Sequence, residues 1–256
     1  MKIIDLSVPL SVRCQERGKD STIPQIEYVD HKFGGRQMAE IFGCSPEDFP
    51  IPGCGWAFEI LTCGTHNGTH IDAPWHYGPV SSGKPSATID EMPLEYCFGD
   101  GVVLRFTHKK AGEKIDVEDI QRELARMNYT LKPLDIVYVN TGWDKKWGTP
   151  DYFYDKPGLT RDATLWLIDQ GIKLMGTDSS GWDRTFKEQA KDFQRTGDRH
   201  YLWEGHFAGI EKPYYQIEKL ANLDLLPDFG FKTCCIPIKI EKAGAAWARP
   251  VAFLND

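Results

Sequence analysis

Hydrophobic positions recur along this chain in two rhythms, and each rhythm marks a set of elements. Residues 2–8 (Lys-Ile-Ile-Asp-Leu-Ser-Val) read as an opening strand. Ala57-Phe58-Glu59-Ile60-Leu61-Thr62 and Gly101-Val102-Val103-Leu104-Arg105-Phe106 are further strands, the second rich in β-branched residues. Helical spacing takes over at Val117, Ile120, Leu124 and Met127, which predicts a helix over 117–128 capped by Asp116. A second helix is predicted over 161–170, capped by Thr160, stopped by Gly171 and packing Ala163, Leu165, Trp166 and Leu167 inward. Apolar runs at 135–141 and 172–177 flank that helix, so the block reads β-loop-α-β, with a right-handed crossover and parallel pairing. A late strand is expected over 231–240, with Pro237 at an edge or a bulge. Residues 11–56 mix Pro, Gly and charges with little periodicity. They read as a long excursion, a lid or a dimer arm, holding at most one short helix near 37–43. No internal repeat or low-complexity linker interrupts the pattern, so residues 1–256 are expected to form one α/β domain.

Composition narrows the partners. The 256 residues are 41% hydrophobic and 26% charged, which suits a globular chain rather than a disordered or fibrous one. Thirty Lys and Arg against 37 Asp and Glu leave a net charge of -7, a poor match for nucleic acid or anionic membranes. Apolar runs are only a few residues long, far short of a membrane span. The first residues read as a strand rather than a secretory signal, so the cytoplasm is the expected location. Seven cysteines at 14, 44, 54, 63, 97, 234 and 235 form no C-x-x-C pair, which argues for buried reduced thiols.

Candidate chemistry concentrates in one short segment. Three of the seven histidines fall in His66-Asn67-Gly68-Thr69-His70-Ile71-Asp72-Ala73-Pro74-Trp75-His76. Imidazole and carboxylate are ligands for zinc or manganese, and ligands must converge on one point. A straight strand would hold His66 and His70 about 13 Å apart. Gly68, Thr69 and Pro74 disfavour a helix. The Asn67-Gly68 turn dipeptide solves the problem by folding His66 back toward His70 and Asp72, which share a face if their segment is extended. Pro74 stiffens the exit and fixes the direction of His76. A histidine-rich surface loop, or satisfied core histidines, is the alternative reading of the same residues.

The segment reads H-x-G-T-H-x-D-x-P-x-H and resembles the signature of the cyclase family, which includes bacterial kynurenine formamidase, isatin hydrolase and metal-dependent dienelactone hydrolases. The resemblance extends to Ile4-Asp5-Leu6-Ser7-Val8-Pro9-Leu10, Thr88-Ile89-Asp90-Glu91-Met92-Pro93-Leu94, Thr141-Gly142-Trp143, Pro157-Gly158-Leu159 and Gly176-Thr177-Asp178-Ser179. It closes on His206, Glu218 and Asn222-Leu223, and it covers most of the chain except roughly 11–56 and 181–203. Those two segments look longer than in a typical kynurenine formamidase.

The resemblance implies a swivelling β/β/α, barrel-like fold and a homo-oligomer. It further implies that His66, His70 and Asp72 bind a first metal, with His206 and Glu218 completing a second site, so one or two zinc or manganese ions per chain. From residue chemistry alone His206 and Glu218 remain open between ligands and a solvated pair. Metal-activated water would attack an amide or ester carbonyl, and His76 is the candidate for proton transfer. The expected activity is arylformamidase-like hydrolysis of a small acylated or cyclic compound. An isatin-type lactam or lactone hydrolase, or a metal-binding protein without catalysis, are the alternatives. Trp56, Phe58, Trp75, Trp143 and Trp182 would line an aromatic pocket or pack the core. His200 competes with His206, while His31 and His108 sit in polar stretches and read as surface. No G-x-S-x-G elbow, P-loop or G-x-G-x-x-G fingerprint appears, which disfavours serine hydrolase and nucleotide chemistry.

Overall fold

The structure, a computed structural model, describes residues 1–12 and 23–254. Its centre is a nine-stranded sheet curled into a half-barrel. Across the sheet the strands run Lys2–Asp5, Val251–Leu254, Phe231–Cys234, Phe98–Arg105, Ile136–Asn140, Leu174–Thr177, Tyr215–Glu218, His70–Asp72 and Ala245–Trp247. The four strands from Phe98–Arg105 to Tyr215–Glu218 are mutually parallel, and every pairing outside them is antiparallel. The crossover expected between 135 and 177 is present, with the helix Arg161–Asp169 linking the parallel strands Ile136–Asn140 and Leu174–Thr177.

Alternation along the central strands divides the core. Val102, Leu104, Val137 and Val139 enter one cluster with Trp182, while Val103, Ile136 and Tyr138 enter the other with Ile71 and Ile217. The helix Val117–Met127 lays Ile120, Leu124 and Met127 on the first cluster, and Asp116 caps it by accepting from the Asp119 N–H at 3.1 Å. The second predicted helix is more deeply buried on a face shifted by one residue. Ala163, Thr164, Leu167 and Ile168 are the buried set, and Leu165 and Trp166 are only half-buried. The late strand stops at Cys234, well short of 240, and Pro237 survives only as an isolated bridge to Ala248.

The excursion is more ordered than its composition suggests. Gln25–Val29 pairs antiparallel with Phe58–Thr62, so the 57–62 strand belongs to a separate hairpin rather than the main sheet. Between them the helix runs His31–Phe42, beginning well before 37 because Asp30 accepts from the Phe33 N–H at 2.8 Å. Its two glycines look like helix breakers in sequence. They are required by close approach: a Cβ on Gly34 would lie 1.9 Å from the Trp56 carbonyl oxygen, and one on Gly35 2.5 Å from that of Gly53. The cysteines also correct the sequence reading. Cys97 and Cys235 are buried, Cys44 is exposed, Cys54, Cys63 and Cys234 are intermediate, and Cys14 lies outside the described residues.

Candidate metal centre

Two antiparallel edge-to-edge strands build the floor of the site. His70 lies opposite Glu218 and Asp72 opposite Gln216 in the register, while Ile71 and Ile217 pair between them. Side chains two apart share a face, so four polar groups point one way and the two isoleucines point into the core. His66 is returned to this face by the turn through Gly68, whose φ of 63 lies in the left-handed region glycine adopts freely. His66 Nδ1 stands 3.2 Å from His70 Nε2 and 2.9 Å from Asp72 Oδ1. His70 Nε2 is 3.2 Å from Asp72 Oδ1 and 3.7 Å from Glu218 Oε2.

His206 arrives from another layer. It sits near the start of the helix Glu204–Glu211, with Nε2 3.8 Å from Asp72 Oδ2 and 3.4 Å from Glu218 Oε1. Tautomers are set from behind. His70 Nδ1 lies 2.9 Å from the Gly68 carbonyl oxygen, which can only accept, so Nδ1 carries the proton and Nε2 keeps its lone pair. His206 Nδ1 contacts the Asp183 carboxylate, which does the same for its Nε2. Asp183 also accepts the Gly205 and His206 backbone N–H groups and so caps this helix. Gln216 Nε2 reaches Glu218 Oε1 at 2.6 Å and Asp72 Oδ2 at 3.3 Å, and the Tyr214 hydroxyl donates to its Oε1 at 2.8 Å.

The donor set fits a divalent cation. Asp72 Oδ1 is buried and makes no hydrogen bond, although two imidazole nitrogens converge on it. Burial pushes the Asp72 carboxyl up, but His66 and His70 pull it further and leave it well below its ordinary range. Burial and Asp72 push Glu218 up, yet His206 and His70 bring it to about 2. Burial lowers the His66 and His206 pKa values, and the carboxylates beside them more than reverse this, Asp72 for His66 and Asp183 for His206. Two buried carboxylates therefore demand positive charge at this spot, which either protons on imidazoles or a metal ion can supply. Two ligand groupings share Asp72: His70, Asp72 and Glu218 at the floor, and His66, Asp72 and His76 nearer the surface.

His76 differs from the rest. Pro74 opens the short helix Pro74–Tyr77 and directs His76 to a ring-centroid distance of 4.1 Å from His66 and 5.7 Å from His206. Burial lowers its pKa to about 4, against the pull of Asp72, so the ring is neutral near pH 7.

The structure therefore brings His66, His70, Asp72, His76, His206 and Glu218 together. His200 is exposed and bonded to Asp198, away from this cluster, and His31 and His108 are also exposed. The aromatic residues singled out in sequence divide between core and surface. Trp182 is fully buried and donates to Thr164, Trp143 is buried, and Trp56, Phe58 and Trp75 are exposed. An aromatic ring not singled out in sequence, Trp203, is stacked on His206 at 4.4 Å. Gln216 could have been found two residues before Glu218 on the same strand face. Asp183 carries no such spacing signal, because it lies past a bend in an isolated bridge to Leu159.

Known proteins share this fold and resemble this sequence in part. The model of the family described as "Putative cyclase" matches residues 4–184. An isatin hydrolase of Roseibium aggregatum is 24% identical over 84% of this chain and 81% of its own. A kynurenine formamidase of Erythrobacter litoralis is 25% identical over 75% of this chain and 74% of its own. Among solved structures, isatin hydrolase A from Ralstonia solanacearum superposes with a TM-score of 0.77 at 21% identity, over 99% of this chain and 92% of that one. A structure described as a potential metal-dependent hydrolase with cyclase activity superposes with a TM-score of 0.63 at 21% identity, over 100% of this chain and 98% of that one. At these identities the superpositions establish a shared fold. The family match spans more than half of the chain, and together with the His66–His76 signature it places this chain in the cyclase family.

Proposed function

We propose that this chain is a metal-dependent hydrolase that cleaves an amide or ester bond of a small acylated or cyclic compound, with arylformamidase-like hydrolysis as the leading case. The observation that carries the reading is the convergence of His66, His70 and Glu218 ligand atoms on the buried Asp72 carboxylate. His66, His70 and Asp72 would hold a first ion, and Asp72, His206 and Glu218 a second. Mixed imidazole and carboxylate donors accept zinc and manganese alike. A divalent ion held there supplies Lewis-acid polarisation of a carbonyl and a lowered pKa for water.

The chain's own residues do the rest. The floor residues His70, Asp72 and Gln216 are fully buried, while the His66 side chain is 38% exposed, so substrate enters on the His66 and His76 side. His76, neutral and poised beside His66, takes a proton from attacking water and returns it to the leaving nitrogen or oxygen. A role in binding alone would not call for such a group.

A lactam-opening reaction is the second reading, favoured by the 84% of the chain matched to an isatin hydrolase against 75% matched to a kynurenine formamidase. Homo-oligomer formation through the 25–62 arm is supported by Tyr28, Ile41, Phe42 and Ile60, all exposed there, and by the marginal stability of an isolated two-stranded hairpin. No helix among the described residues is long and apolar enough to cross a membrane, and the six described cysteines are free, which suits a reducing cytoplasm. Incubation of the purified protein with isatin, an N-formyl arylamine and a simple lactone tests the proposal. Turnover of the formyl amide above the others supports the leading reading, selective opening of isatin supports the second, and inertness toward all three contradicts both.

A further inference from the structure

Trp203 occupies a backbone conformation that its own side chain resists. Its φ of 50 and ψ of 48 lie in the left-handed region, which bulky L-residues rarely enter. The Trp203 side chain itself makes no cap hydrogen bond to the helix Glu204–Glu211 that it opens. Instead the residues around Trp203 hold it there. The Glu204 N–H donates to Gln189 Oε1 at 3.2 Å, Arg184 Nε donates to Glu204 Oε1 at 2.6 Å, and the Gly205 N–H reaches Asp183. The first helical turn then closes through the Phe207 N–H to the Trp203 carbonyl oxygen at 2.8 Å. Strain that neighbours maintain in this way is a pointer to use.

The indole has a specific placement. It lies parallel to the His206 ring at a centroid distance of 4.4 Å and an interplanar angle of 11°. It meets His76 edge-on at 5.1 Å and 82°. Hydrogen bonds orient His206 at both ring nitrogens, Nδ1 to Asp183 and Nε2 to the Gln216 side-chain amide at 3.1 Å, which still leaves the ring free to rock about the line joining them, and no side-chain hydrogen bond among the described residues holds His76. One flat surface touching both rings removes that freedom.

We infer that Trp203 is a positioning residue, whose strained backbone presents the indole as a splint that fixes the ring planes of His76 and His206. The inference rests on the proposed hydrolase reading for its kinetic consequence, though not for its geometric one. The test compares Trp203→Gly and Trp203→Phe with the wild type. Glycine accepts the left-handed backbone, so the turn survives loss of the ring, whereas phenylalanine keeps a flat surface in place. In metal-loaded protein, with whichever of isatin and the N-formyl arylamine turns over faster, Trp203→Gly should lower kcat about 10-fold or more. KM should stay within about twofold, and Trp203→Phe should recover most of the loss. In metal-free protein, imidazole NMR signals of His76 and His206 should be single in the wild type and in Trp203→Phe, but broadened or doubled in Trp203→Gly. A raised KM with unchanged kcat would make Trp203 a wall for substrate instead. Single, sharp imidazole signals in Trp203→Gly would overturn the inference outright, and Trp203→Phe as impaired as Trp203→Gly would do the same. If the wild type hydrolyses nothing, the functional proposal fails, and the NMR comparison still decides the positioning role.

Discussion

Replacing Asp183 by asparagine removes the carboxylate charge beside His206 and relocates the ring proton. The Asp183 carboxylate divides its work: Oδ1 takes the backbone N–H groups of Gly205 and His206, the latter at 3.3 Å, and Oδ2 takes His206 Nδ1. In Asp183→Asn the carbonyl oxygen can keep the backbone bonds, which leaves the helix cap intact. The amide nitrogen then faces His206 Nδ1, and two donors cannot share that contact. The ring proton is driven to Nε2, the atom that lies 3.4 Å from Glu218 Oε1 and 3.8 Å from Asp72 Oδ2. A protonated Nε2 has no lone pair for a metal. Outer groups of this kind are worth about 10–100-fold in metal affinity or activity, or about 1.4–2.7 kcal/mol. Turnover should fall at least as far, because a wrong tautomer also misdirects the site. Chelator competition with zinc measures the affinity, and nitrogen-15 imidazole NMR reports the tautomer directly. Unchanged zinc affinity together with an Nδ1-protonated His206 would show that Asp183 does not set the tautomer.

Three further outcomes follow from the same geometry. His76→Ala should lower kcat by about 10²–10⁴-fold while metal content and Tm stay near wild type, and loss of metal would instead make His76 a ligand. Elemental analysis should give about two ions per chain, falling to about one in Glu218→Ala, whereas one ion in both proteins would remove Glu218 from the ligand set. In metal-free protein, Asp72 and Glu218 are depressed in the folded state, so the stability they contribute is present above their ordinary 3.8 and 4.5. It is lost as pH falls, for Glu218 through about 2, and Glu218→Gln should flatten that acid loss in unfolding titrations.

Most of the site was legible because its residues obey local rules. His70 and Asp72 are two apart on a strand, and glycine at 68 permits the turn that returns His66. The central strands and the helices over 117–127 and 161–169 were legible for the same reason, since periodicity and caps agree there. What sequence periodicity could not show depends on partners far along the chain. Whether 58–62 joins the main sheet or a hairpin is decided by pairing with 25–29, and the helix His31–Phe42 depends on backbone packed against Gly34 and Gly35. Asp183, Trp203 and the helices Phe186–Thr196 and Glu204–Glu211 fall in or beside a segment whose apolar positions are sparse. Its order comes from Arg184, Gln189 and Glu204 bonding to one another, and polar networks of that kind leave no hydrophobic rhythm.

Metal dependence is the claim on which the rest stands. Protein purified without added metal should contain about two equivalents of zinc or manganese, measured by plasma emission. Exhaustive dialysis against a chelator should abolish hydrolysis of the amide and lactam probes, and either ion should restore it. Full turnover by rigorously metal-free protein would contradict the account.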